Sequence, residues 1–232
     1  MKAKDVMTTT VVSVGPDTGV PEIARLLLER HISAVPVVDD AGRVIGMVSE
    51  GDLMRRPESE TEGVASWWLA LLAAESATRY LKTHGLRARE VMTREVVSVT
   101  EDAPLEEIAT LLERKHIKRV PVLRDGKLVG IVSRANLLHG LVARASRSST
   151  PPASNPTAIR EAVVAELRAA GLLTAYVNVV IADGTAQLWG GVESAVEAEA
   201  IALAAARTPG VDRVENNLFV LPARLIGSLG GE

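Results

Sequence analysis

Two four-residue stretches carry what chemistry this chain has. Ser49-Glu50-Gly51-Asp52 and Ser133-Arg134-Ala135-Asn136 each follow an apolar run and precede a helical one. At a strand-to-helix junction, a serine hydroxyl and its neighbouring amides can face a phosphate. An acid three residues on, about one helical turn away, can accept from sugar hydroxyls. The same pattern also makes an ordinary helix cap, because serine before a helix accepts from first-turn amides. Two basic segments stand elsewhere: Lys115, His116, Lys118 and Arg119, and the sparser Arg30, His31, Ser33 and Ala34. The four histidines show no metal spacing, and there is no cysteine, P-loop, dinucleotide fingerprint or nucleophile motif. The chain reads as a non-enzyme.

The elements that must position these groups occur twice. DVMTTTVVSV at 5–14 is echoed by EVMTREVVSV at 90–99, EIARLLLERHISAVPVV at 22–38 by EIATLLERKHIKRVPVL at 107–123, and GMVSEGD at 46–52 by GIVSRAN at 130–136. The offset is 85 residues from Asp5 to Glu90 and 84 from Ser49 to Ser133. Each copy opens with a β-rich segment, Val11–Val14 and Val96–Val99. An amphipathic helix follows, with apolar Val20, Ile23, Ala24, Leu27 and Leu28 in one copy and Leu105, Ile108, Ala109 and Leu112 in the other. Asp17 and Asp102 sit where caps or first-turn acids are expected. Strands around Val35-Pro36-Val37-Val38 and Val120-Pro121-Val122-Leu123 come next, with the prolines suited to a strand start or edge. Turns at Asp40-Ala41-Gly42 and Asp125-Gly126 lead to return strands and a last helix. The pattern is α+β, with two β-α-β-β-α repeats about a pseudo-twofold axis.

The order DVMT, H-I-x-x-VPV, G-h-V-S-x-x-D resembles the CBS domain, here as a tandem pair (a Bateman module). The resemblance implies clefts that bind adenine nucleotides or related adenosyl ligands, and modules that pair into a flat dimer. It also implies composite clefts. The main one would combine Ser49 and Asp52 with Lys115, His116, Lys118 and Arg119, and with backbone near Val96 and Val97. The second would combine Ser133 and Asn136 with Arg30, His31, Ser33 and Ala34. Asn136 stands where the family has Asp, and Ala34 where the other cleft has Arg119. An amide loses the charge assistance that makes such a bond worth about 1.5–3 kcal/mol, so the main cleft is expected to bind more tightly. Packing alone is the other reading of the two histidines, and a solvated face that of the basic run.

The expected organisation is repeat 1 at 1–56, a helical spacer at 57–86, repeat 2 at 87–144, a Ser/Pro linker at 145–156, a third domain at 157–222 and a tail at 223–232. In the spacer, Val64, Trp67, Trp68, Leu71 and Leu72 share a helical face, and the two tryptophans are candidate homodimer contacts. The third domain reads α-β-β-α-β. DGTAQLWGGVES at 183–194 and TPGVDRVENNLFV at 208–220 resemble the BON domain. That family implies phospholipid binding, but the segment has no basic stripe for anionic lipid, so a protein partner is an equal expectation. The bulk numbers fit: 232 residues, 47% hydrophobic, 3% aromatic, net charge −3. The charge gives no case for nucleic acid. The N-terminus lacks a signal h-region, and the run Trp67–Ala74 is far below the ~18 residues of a membrane span. A cytoplasmic sensor with no required cofactor and an adenine nucleotide as regulatory ligand is the first expectation. A dimerising scaffold, whose third domain binds lipid or protein, is the second.

Overall fold

The computed structural model describes residues 1–54, 87–145 and 155–221. The expected spacer helix with Trp67 and Trp68, most of the linker and the tail lie outside the described residues. The fold is α+β. Packing divides the chain into two compact units. One comprises residues 12–96; the other comprises 1–11 together with 97–232. Each repeat is therefore completed by the opening segment of the other copy.

In the 12–96 unit, helix α2 (Val20–Glu29) packs on the hairpin of β1 (Ala34–Val38) and β2 (Val44–Ser49), which leads into α3 (Glu50–Met54). A four-residue helix, α4 (Ala88–Val91), closes the unit. The core is Val14, Val20, Ile23, Leu27, Val35, Val37, Val48, Leu53 and Ala88. Leu28, expected on the buried stripe, is 73% exposed. The expected opening strand shrinks to one parallel bridge, Val14 to Val37. Pro36 stands opposite Met47, which turns its N–H and C=O away from β1, to Thr93 at 3.0 and 2.9 Å. No ladder bond is asked of the proline nitrogen there, so mid-strand proline costs no hydrogen bond.

The other unit opens with α1 (Ala3–Val6), the counterpart of α4. It continues with β3 (Val99–Thr100), α5 (Leu105–Arg114), β4 (Arg119–Arg124), β5 (Lys127–Ser133) and α6 (Arg134–Ala145). The sheet runs β3-β4-β5, with β3 parallel to β4. Thr8 bridges Ile131 opposite Pro121, repeating the Thr93 arrangement. Asp17 and Asp102 are not helix caps: the caps are Gly19 and Pro104, and neither makes a side-chain cap bond. Each acid instead pairs with the opening segment of the other copy: Asp17 with Arg87 and Arg89, Asp102 with Lys2 and Lys4. Hydrogen bonds from the Lys2 and Lys4 ammonium groups hold the Asp102 carboxyl below its usual range.

The third domain belongs to this second unit. It comprises α7 (Pro156–Ala169), β6 (Val177–Ala182), β7 (Thr185–Val192), α8 (Ala195–Ala206) and β8 (Arg213–Val220), in the expected α-β-β-α-β order. β7 lies between antiparallel β6 and parallel β8. One sheet face buries Val177, Val179, Ile181, Ala186 and Leu188 against α7 and α8. The other face does not meet water along β6. Val180 and Ala182 form a second cluster with Val6 of α1 and Ala143 of α6, so β6 is buried at every position. His139 of α6 stacks on Trp189 of β7, with centroids 4.8 Å apart and planes at 10°.

Candidate functional site

The serine junctions are built the same way in both repeats. Ser49 N and Oγ donate to Asp52 Oδ2 at 2.8 and 2.6 Å, and Asp52 N returns a bond to Ser49 Oγ at 3.3 Å. Ser133 N and Oγ donate to Asn136 Oδ1 at 2.8 and 2.6 Å, with the same return bond at 3.3 Å. Each is a reciprocal cap that satisfies first-turn donors. Capping and ligand contact are compatible here, because a carboxylate has a second oxygen.

The second atom distinguishes the copies. Among the described residues, Asp52 Oδ1 accepts only a 3.2 Å bond from the Thr93 hydroxyl, at a partly exposed position. Asn136 is 4% exposed, and its Nδ2 donates inward to Val6 O at 3.0 Å and to Thr8 Oγ1 at 3.4 Å. At neutral pH an amide can accept from Ser133 and donate to a carbonyl at once, whereas an ionised carboxylate can only accept. The absent carboxylate in the second copy is thus explained by a buried carbonyl facing it. Thr8 and Thr93 were not singled out from sequence; their signal was the repeated V-M-T itself.

The other expected residues have local roles that the sequence did not show. Arg30 and Lys115 are C-caps of α2 and α5. His31 and His116 follow them with φ of 45° and 52°. His31 N donates to Leu28 O and Ile32 N to Leu27 O; His116 N donates to Glu113 O and Ile117 N to Leu112 O. These are Schellman closures, and the histidines occupy the left-handed position usually held by glycine. Both side chains are exposed. Ser33 O accepts from Glu50 N at 3.1 Å, and Lys118 O from Arg134 N at 3.2 Å, so each pre-strand segment touches the junction of its own repeat. The register likewise sets Ala34 beside Ser49 and Arg119 beside Ser133. Val96 belongs to the 12–96 unit, and Val97 packs on the core of the second repeat. The two expected composite sets draw on both units, and within each unit the structure joins Ser49, Asp52 and Thr93 on one hand and Ser133, Asn136 and Thr8 on the other.

Glycine before each junction admits the repeated methionine. A Cβ on Gly130 would meet Met7 Cγ at 2.9 Å and the Thr8 carbonyl oxygen at 3.1 Å. One on Gly46 would meet Met92 Cγ at 2.7 Å. The G-h-V-S glycine is therefore a packing requirement of V-M-T. Among the described residues, no group of three or more His, Asp or Glu is placed to hold a metal, and no helix is long and apolar enough to cross a membrane.

Family models match the CBS domain at residues 3–59 and 88–143 and the BON domain at 155–222. An uncharacterized protein of Methanocaldococcus jannaschii is 30% identical over 158 residues, 61% of this chain and 92% of that protein. The chloroplastic CBS domain-containing protein CBSX2 of Arabidopsis thaliana is 31% identical over 149 residues, 59% of this chain and 62% of its own length. A crystal structure of CBSX2 aligns with TM-score 0.50 at 28% identity, over 63% of this chain and 98% of that one. CBSX2 has also been crystallised in complex with AMP; that structure aligns at TM-score 0.48, 29% identity, and covers 62% of this chain and 98% of its own. The chain belongs to the CBS domain-pair proteins, with a BON domain following the pair.

Proposed function

We propose that the chain is a cytoplasmic, non-enzymatic sensor of an adenine nucleotide of the AMP, ADP or ATP class. The observation that carries this is the asymmetry of the two junctions. The first repeat keeps a carboxylate whose second oxygen takes, among the described residues, one 3.2 Å bond from Thr93 and can accept from a ribose diol. The second spends its amide on Val6 and Thr8. Ser49–Asp52 is therefore the primary ligand junction and Ser133–Asn136 the weaker one. A CBS-pair relative that takes AMP supports the choice of ligand class. Dimerisation through the CBS pair belongs to the proposal, and exposed Leu138 and Leu141 on α6 are apolar enough to take part.

Thermal-shift measurements with AMP, ADP, ATP, NAD and S-adenosylmethionine test this. At 100 Kd a ligand that binds only the native state adds about 2.7 kcal/mol, a clear rise in melting temperature. At least one adenine nucleotide is expected to raise it. No shift with any of the five at millimolar concentration would favour the scaffold reading.

A further inference from the structure

Helix α1 is four residues long, too short to hold itself by propagation. Its carbonyls are closed from the third domain. Arg160 Nη1 donates to Lys4 O at 2.8 Å and Arg160 Nη2 to Met7 O, while Nε donates to Val179 O in β6 of its own domain at 2.8 Å. Asn178 Nδ2 donates to Val6 O at 2.8 Å, the same carbonyl that Asn136 reaches from α6. Thr157 Oγ1 adds a bond to Asp5 Oδ1 at 2.8 Å. Arg160 is 4% exposed and makes no ion pair within 4.0 Å among the described residues. A buried guanidinium is costly unless its donors are filled, and burial lowers its pKa to about 10, leaving it charged at neutral pH. Its two outer donors are filled by the opening segment of the chain.

We propose that Arg160 and Asn178 are positioning residues: through them the third domain locks the Met1–Thr8 segment onto the second repeat, making the Ser133–Asn136 junction and the third domain one cooperative element. Val6 O is the shared point, with Asn136 on one side and Asn178 on the other. A ligand that draws the Asn136 amide away from Val6 must loosen the third domain, and by linkage undocking must alter the junction's affinity by the same factor. The ligand part rests on the nucleotide reading above; the positioning part does not.

Hydrogen exchange on the full chain separates the two. In Arg160→Ala and Asn178→Val, amides of residues 3–8 and 133–136 are expected to exchange at least tenfold faster, while amides of β6 and β7 stay within threefold of the unaltered protein. Valine suits a strand, so Asn178→Val decides the matter if Arg160→Ala does not fold. Unchanged exchange at residues 3–8 in Asn178→Val, with the third domain folded, would overturn the proposal. The exchange is measured again with AMP. AMP that fails to bind removes the nucleotide reading and leaves the positioning result standing. AMP that binds to Ser133–Asn136 with the same affinity in the unaltered protein and in Asn178→Val overturns the linkage.

Discussion

Alanine at Gly190 is expected to unfold the third domain. Gly190 has φ of +122°, a region closed to residues with a side chain. A Cβ there would also run into the Tyr176 carbonyl, whose carbon lies 2.8 Å away, and approach Val177 Cα at 3.4 Å. These are backbone atoms at the start of β6 and of the residue before it, so no rotamer change relieves the overlap. Strain of about 1–3 kcal/mol and overpacking of about 1–3 kcal/mol together rival the stability of a domain this size, at roughly 0.05–0.15 kcal/mol per residue. Circular dichroism melting of the full chain should show one transition lost or shifted well down. Because β6 also covers α1 and α6, the second repeat should lose stability in the same experiment, whereas the 12–96 unit should not. A melting profile identical to that of the unaltered protein would contradict the packing described.

Aspartate at Asn136 has the second large effect. The substitution looks like a repair of the pseudosymmetry, since it restores the family residue. The surroundings predict the opposite. The carboxylate would keep the two bonds from Ser133 but face Val6 O across about the same gap, losing a buried hydrogen bond and setting two acceptors against each other. Loss of such a bond with a buried group left unpaired costs about 1–3 kcal/mol, more when the group is charged. The fall should be larger at pH 7 than at pH 4, where the protonated acid can donate again. An Asn136→Asp protein as stable as the unaltered one, or one that binds a second equivalent of AMP with unchanged stability, would show that the Val6 contact is dispensable.

Much of this was legible in the residues. The repeat, the hairpins at Asp125-Gly126 and Asp183-Gly184, and the helix–strand order of the third domain follow from local patterning and turn chemistry, which need no tertiary information. The exchange of opening segments was not legible. α1 and α4 are single turns whose partners lie in the other copy, so neither period nor propensity marks them. The backbone role of the histidines was not legible for a related reason: a left-handed helix closure is usually marked by glycine, and His31 and His116 hold it with φ of 45° and 52°. Docking of the third domain left one readable trace. Val177-Asn178-Val179-Val180-Ile181-Ala182 has little alternation, as a strand covered on both faces should.

Calorimetric titration of the full chain and of Asp52→Asn with AMP tests the central claim most directly. Asn136 serves as the internal control for this substitution, since an asparagine in the equivalent place makes the same two bonds to its serine, at 2.8 and 2.6 Å. Asp52→Asn should therefore leave the cap intact and remove only the charge offered to the ribose. The expected result is one dominant binding event in the unaltered chain, weakened about 10-fold or more in the variant, in line with about 1.5–3 kcal/mol for a charge-assisted bond. Two equal sites, or an affinity indifferent to Asp52, would contradict the account.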